Sequence, residues 1–355
     1  MDDAPLHPQA SRAVLGQWSE ITAALVDRKV ALCPQRGGPT DHETSLQDAG
    51  YHLSFLAQAL ALNHPAMFVD HVAWAKVMLI QRKVPPAELT FHFECLAEVL
   101  EEQLPAESGA LASGFVRAAV RAMPEMPEDL PTCLHQDEPL SPLAYEYFAA
   151  LQRGERQAAS RLIGDAVAAG TPVKELYLQV FQPVQHELGR LWQTNRLTVA
   201  QEHYCTAATR DAISRLDPHL VAPVKNGHTL LATCVSGEQH EVGVRMVADF
   251  CEMDGWKTYL LGASTPHTDV LSSLTEQQAD LLAISAAMPY HVEAVRELIR
   301  SVRADPGCGR VMILAGGFPF NRDPDLWRNV GADGSALDAQ GAVDLANRLM
   351  AERVA

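Results

Sequence analysis

Glu238, His240 and Gly243 form an acid-x-imidazole-x-x-glycine run. The full stretch is Ser236-Gly237-Glu238-Gln239-His240-Glu241-Val242-Gly243. It follows an apolar segment at 228–235 and precedes a helical pattern through Val244, Val247, Ala248 and Cys251. A loop between strand and helix lies at the mouth of an α/β sheet, where such folds bind ligands. No catalytic serine and no glycine-rich phosphate fingerprint accompanies the histidine, so its placement suits coordination of something large and flat. A metal-bound imidazole is held through its other nitrogen, and a neighbouring carboxylate fixes the tautomer and raises basicity. Glu238, two residues earlier, is the candidate for that task. Ser285 ends a third apolar run, and Gly316-Gly317 ends a fourth. These features fall on successive strand ends along one rim, and the paired glycines let backbone approach closely. Taken singly, they read as a loop histidine, a strand end and a tight turn.

The elements that must position these residues are legible from periodicity. Apolar runs at 228–235, 256–261, 280–285 and 311–315 alternate with helical stretches at 241–254, 268–277, 291–303 and 341–350. That alternation predicts parallel βαβ units and a doubly wound sheet, with a weaker fifth strand at 334–337. Ahead of it, 142–220 predicts a four-helix bundle with short connections. Val173, Leu176, Tyr177, Val180, Phe181, Val184, Leu188, Leu191 and Trp192 form one stripe on a single helix face. Asn195-Arg196 breaks that helix, and Thr198-Val199-Ala200-Gln201 is a capping box that starts the next at Val199. Residues 1–123 predict a separate helical domain with helices at 17–32, 45–61, 67–81, 89–103 and 111–123. The stretch 124–141, rich in proline and acid, reads as a linker. The fold class is therefore all-α followed by α/β, with a sheet domain over 226–355.

The chain has 355 residues, a hydrophobic fraction of 47% and a formal net charge of -16. That length suits two or three domains. The acidity argues against a sequence-independent grip on nucleic acid, which needs clustered Lys and Arg. No run of eighteen apolar residues is present, and Met1 to Ser11 has no basic segment leading an apolar core. A cytoplasmic protein with neither membrane nor nucleic-acid contact is expected. The seven cysteines, at 33, 95, 133, 205, 234, 251 and 308, show no Cys-x-x-Cys pair and read as reduced thiols in cores.

The spacing Glu238-x-His240-x-x-Gly243, with Ser285 and Gly316-Gly317 on neighbouring strand ends, resembles the signature of cobalamin-binding domains over residues 142–350. The resemblance implies that His240 replaces the lower cobalt ligand and that Glu238 orients its imidazole. It also implies that Ser285 lies deep in the slot for the displaced nucleotide tail and that Gly316 and Gly317 line it. The commonest form of the motif has aspartate at the position of Glu238. Trp192, then nine residues, then Glu202-His203 is similar to the cap of light-responsive cobalamin-dependent repressors. There the tryptophan packs against an upper adenosyl group and the Glu-His pair surrounds it. A core tryptophan, and an acid favoured at a helix start, is the plain alternative. In those repressors a histidine directly after the tryptophan can take the upper cobalt position once light has removed the alkyl group. Here that position is Gln193, which leaves His203 or water for the role.

A helical domain ahead of such a module resembles the photocobilins, which carry biliverdin beside cobalamin. Tyr51-His52-Leu53-Ser54-Phe55-Leu56 and Phe68-Val69-Asp70-His71-Val72-Ala73-Trp74 suit an apolar pocket with a few polar groups. The resemblance thus implies a light sensor, not an enzyme, that holds adenosylcobalamin and a second, bilin chromophore. A homo-oligomer and an unnamed signalling partner are expected with it. The alternative is a corrinoid carrier for a methyltransferase system, because one fold serves many functions. A third reading is a cobalamin-binding regulator that docks on a repressor protein without needing light.

Overall fold

The computed structural model describes residues 5–32, 42–220 and 224–354. Cys33, the first four residues and Ala355 lie outside them. The chain divides into two units, Met1–Leu130 and Pro131–Ala355.

In the second unit, four runs without an internal charge form the strands β1 (Thr229–Cys234), β2 (Lys257–Gly262), β3 (Leu281–Ser285) and β4 (Met312–Gly316). They pair in the order β2-β1-β3-β4, all parallel. Parallel neighbours need crossovers, supplied by α12 (Val242–Met253), α13 (His267–Gln277) and α14 (Val292–Ala304). The short helices α15 (Phe318–Arg322) and α16 (Leu326–Val330) and the closing helix α17 (Ala339–Val354) follow β4. The central strands β1 and β3 are buried almost throughout, whereas β2 alone carries exposed positions, as an edge strand does. Cys234 pairs with Ser285, and Ser285 with Gly316, so three strand ends finish level. That alignment carries the expected residues to one rim.

The fifth strand expected at 334–337 is a single bridge from Leu314 to Gly334. Asp338 accepts a hydrogen bond from the Gly341 N–H at 2.8 Å and so caps α17, which leaves only three residues between the bridge and that cap. Sequence periodicity also passed over α15 and α16, each five residues long and too short to show a period.

The bundle comprises α7 (Ser141–Gln152), α8 (Arg156–Ala168), α9 (Val173–Leu176), a π turn at Tyr177–Phe181, α10 (Gln182–Gln193) and α11 (Val199–Ser214). The long apolar stripe therefore runs along α9, the π turn and α10. Pro183 lacks the N–H that residue 179 would accept, and the wider turn just before it accommodates the ring. The capping box forms at Val199: the Gln201 N–H donates to Thr198 Oγ1 at 3.2 Å and the Thr198 N–H to Gln201 Oε1 at 2.9 Å. One core joins bundle and sheet, running from Tyr147, Phe181 and Leu188 to Phe250, Trp256 and Leu281. Polar ties reinforce it. The Tyr177 hydroxyl donates to Asp249 of α12 at 2.6 Å, and the Lys174 ammonium lies 5.2 Å from the centre of the Phe250 ring.

The first unit has α1 (Leu6–Gly16), α2 (Trp18–Leu32), α3 (His42–Ala61), α4 (Pro65–Gln81), α5 (Pro86–Gln103) and α6 (Ala106–Ala122). The additional helix, α1, escaped the sequence reading because Pro5 and Pro8 suggest a loop. Pro5 is the N-cap and Pro8 falls in the first turn, where a missing N–H costs nothing. The boundary between units falls inside the proline-rich stretch. On its first side the buried Lys76 donates to the carbonyls of Met123 (3.1 Å) and Met126 (2.7 Å). On its second, the Cys133 N–H donates to Glu187 at 2.9 Å and the Tyr145 hydroxyl to the Leu134 carbonyl at 2.9 Å.

The core of the first unit holds an unusual group: His52 of α3, His71 of α4 and His92 of α5, all buried. His52 Nδ1 and His71 Nε2 share a hydrogen bond at 2.8 Å, and Lys29 Nζ lies 3.3 Å from His92 Nδ1. Among the described residues His71 Nδ1 and His92 Nε2 have no hydrogen-bond partner. Burial, and then the Lys29 charge, lowers the pKa of His52 to about 4. Burial, and then His52, holds His71 and His92 well below 6.5. These rings are neutral in the fold, so their stabilisation is complete above pH 6.5 and is lost as pH falls towards 4. Hydrogen exchange of the whole protein, corrected for intrinsic rate, should show α3, α4 and α5 losing protection across that window. A His71→Phe variant, which keeps a ring against Phe55, should move the loss to lower pH. Protection that persists unchanged to pH 4 would contradict this account.

Candidate functional site

β1 ends at Cys234, and the chain then turns through Gly237 at φ 85, a conformation that glycine adopts without penalty. The turn sends Glu238 inward and His240 outward: the Glu238 side chain is fully buried, while that of His240 is 63% exposed. Five donors surround the buried carboxylate. Oε1 accepts from the His240 N–H (2.9 Å) and from His240 Nδ1 (2.5 Å). Oε2 accepts from the Ala287 N–H (2.7 Å), the Met288 N–H (3.1 Å) and His291 Nδ1 (2.9 Å). Burial pushes this carboxyl's pKa up, but the hydrogen bonds from His240 and His291 outweigh burial and hold it far below the usual range. The glutamate side chain thus reaches the imidazole two residues further along the chain.

A carboxylate only accepts, so Nδ1 of His240 carries the proton and Nε2 keeps its lone pair for an outside partner. The Glu238 hydrogen bond raises the His240 pKa above 6.5 against the opposing effect of burial, and the charges of Glu238 and Glu202 raise it further. A more basic imidazole is a better σ-donor to a metal. It supplies one ligand, so an ion at Nε2 has to bring its other ligands with it.

The remaining rim residues fall around this pair. Ser285 and Gly316 are half-buried at the paired ends of β3 and β4. Gly317 has φ 110, and a Cβ there would lie 2.1 Å from the Ala286 carbonyl oxygen, so only glycine fits. Gly243 is exposed in the first turn of α12, with open space where a side chain would stand. Gly316 is likewise open. From the bundle, Trp192 packs half-buried on the edge of the shared core at the end of α10. Glu202 and His203 lie in the first turn of α11, 3.7 Å apart between Oε2 and Nε2. Glu202 also accepts from the Thr206 hydroxyl at 2.6 Å, and His203 is 74% exposed. Gln193 is buried.

His291 and the two amides at Ala287 and Met288 were not among the sequence candidates. The available signal was positional. They lie in the loop after β3, next to β1 in the sheet, on the same rim as Glu238. A second tie missed in the sequence is Arg210 of α11, which pairs with Glu241, while Glu241 Oε2 accepts the Ala263 N–H at 2.9 Å.

Known proteins resemble both the bundle and the sheet of the second unit. Two family models, each described as a B12 binding domain, match residues 143–217 and 228–344, the bundle and the sheet. Together they take in more than half of the chain, so both the bundle and the sheet match B12 binding domains. It is similar to dimethylamine corrinoid protein 3 of Methanosarcina acetivorans, 24% identical over 51% of this chain and 85% of that one. It is also similar to the HTH-type transcriptional repressor CarA of Myxococcus xanthus, 30% identical over 35% of this chain. The matched region is 42% of that repressor's length. The monomethylamine corrinoid protein of Methanosarcina barkeri superimposes with a TM-score of 0.54 at 20% identity, covering 59% of this chain and all of that one, and shares the fold. Among the described residues no helix is long and apolar enough to cross a membrane.

The Glu238 pair can be tested directly. Glu238→Gln removes the charge and the anionic acceptor, so the His240 pKa should fall, as followed by histidine NMR titration. The same pKa in wild type and variant would show that Glu238 does not govern the imidazole.

Proposed function

We propose that this protein is a cobalamin-dependent light sensor in which His240 is the lower cobalt ligand. The observation that carries this reading is the outward imidazole of His240, held at Nδ1 by the buried Glu238 beside a rim of open glycine positions. In this reading Glu238 orients the ligand and His291 holds Glu238 in place. Ser285, Gly316 and Gly317 line the slot for the nucleotide tail, and Gly243 leaves its entrance clear. When bound, the cofactor supplies a cobalt–carbon bond that visible light can cleave, while the protein supplies binding, orientation and readout. Trp192, Glu202 and His203 close over an adenosyl group from the bundle. With that bulk gone, Trp192 loses a packing partner, and α10 and α11 can shift and alter an oligomer interface. The cap spacing, Trp192 to Glu202-His203, favours this function over methyl transfer.

The reading predicts an alkylcobalamin spectrum when adenosylcobalamin is added in the dark, changing under green light. A light-insensitive complex would overturn it. His240→Ala should leave the cofactor in its slot but shift the spectrum to the form without a lower base. In the wild type the same shift should appear as pH falls, because protonation of Nε2 removes the donor lone pair. An unaltered His240→Ala spectrum would sink the ligand assignment. The second reading, a corrinoid methyl carrier, is supported by similarity to the dimethylamine corrinoid proteins over most of their length. Cobalt-dependent methyl transfer between two small substrates would favour it.

The first unit is proposed to hold biliverdin as a second chromophore. Support comes from the unpartnered nitrogens of His71 and His92 among Phe55, Phe68 and Phe93, since a bilin's pyrrole N–H and lactam groups can satisfy both kinds of ring nitrogen. Biliverdin should give a sharpened, shifted red band with the full chain and none with a chain starting at Pro131. No binding by either would leave the first unit as an interaction domain.

A further inference from the structure

The bundle carries a second polar cleft, between α8 and the end of α11, with a volume of about 470 Å³. Glu202 lies in the first turn of α11 and Arg215 just past its last. Thirteen residues of helix separate them by roughly 20 Å, so this cleft is distinct from the cap above His240. Its rim is formed by Arg161, Arg215 and His219, with Ser160 and Gln157 beside them. Its floor is apolar, from the buried Ile163, Ala212 and Leu216.

The charges on this rim are exceptional for the bundle. Arg153 pairs with Glu155, Arg156 with Asp211, Arg190 with Glu187 and Arg210 with Glu241. Arg245 of α12, which reaches the end of α11, pairs with Asp217. In a chain with 44 acidic and 28 basic side chains, carboxylate partners are abundant. Among the described residues Arg161 and Arg215 nonetheless make no ion pair or side-chain hydrogen bond, and both line the same cleft. Asp165, the one carboxylate on the rim, lies one turn beyond Arg161 on α8 without pairing to it. Two guanidiniums thus outweigh it, with His219 adding a donor or acceptor.

We propose that this cleft binds a small organic phosphate. Guanidinium forks match phosphate oxygens bidentately, Ser160 and Gln157 add neutral hydrogen bonds, and the apolar floor takes a ring or short chain. The volume is in the range of small-ligand clefts. The ligand would bridge α8 to the end of α11.

The test is calorimetry with cobalamin-loaded protein, so that the nucleotide-tail slot is filled, using adenosine 5′-monophosphate, adenosine and inorganic phosphate as probes. The monophosphate should bind more tightly than inorganic phosphate, adenosine should not bind, and affinity should fall as salt rises. The double variant Arg161→Gln, Arg215→Gln should lose at least about tenfold in affinity, or about 1.4 kcal/mol, while retaining its melting temperature and cobalamin spectrum. Lys174→Gln, outside the cleft, should bind as wild type does. No binding of the monophosphate, or equal binding by the double variant, would overturn the proposal. Equal binding of monophosphate and adenosine would also overturn it.

Discussion

The carboxylate of Glu238 is the interaction on which the second unit's architecture turns. A charge with no solvent contact is costly unless hydrogen bonds replace its hydration. Five donors do so here, and they come from two loops, after β1 and after β3. Those loops can converge only because β1 and β3 are neighbours with level ends. The remaining local features follow from that convergence. Gly237 takes its left-handed turn so that Glu238 can point inward, and a Cβ at that position would sit 3.3 Å from His291 Nε2. Gly317 gives up a side chain so that the β4 turn can pass the Ala286 carbonyl. An imidazole thereby stands outward from a rigid base, with its proton on the inner nitrogen.

In the proposed function the bundle is registered over that imidazole, and its fixing points lie away from the rim. Tyr177 and Asp249 form a buried hydrogen bond under the shared core, and burial raises the Asp249 carboxyl to about 6. Lys174 and Phe250 add a cation–π contact nearby. Near the rim the tie is Arg210 with Glu241, half in solvent and therefore weaker. In the proposed function, such a distribution, firm at the π turn and looser near Glu202, would let α10 and α11 respond to a bound cofactor while the core stays intact.

How much was legible in the sequence depended on the range of each interaction. The strands were readable within a residue or two, because a fully buried parallel strand is a short apolar run. The start of α11 was readable to the residue, since Thr198 and Gln201 settle their own cap three positions apart. The Glu238–His240 contact was readable for the same reason. His291 was not: it meets Glu238 across 53 residues and through strand order, which no local spacing encodes. The three histidines of the first unit were likewise out of reach. His71 was singled out for its sequence neighbourhood, but its contacts with His52 and the group it forms with His92 come from packing of three helices. The expectation of a fifth strand failed where a local cap on α17 competed with sheet pairing.

The most direct measurement of the central claim is the electron paramagnetic resonance spectrum of bound cobalamin, reduced to its paramagnetic cobalt state in protein labelled with nitrogen-15 at histidine. Coupling to the axial nitrogen splits each high-field cobalt line. A protein imidazole at that position should convert the three-line pattern of ordinary nitrogen into a two-line pattern on labelling, and His240→Ala should abolish the axial splitting. A three-line pattern that survives labelling would mean that the cofactor keeps its own base, and would contradict the assignment of His240.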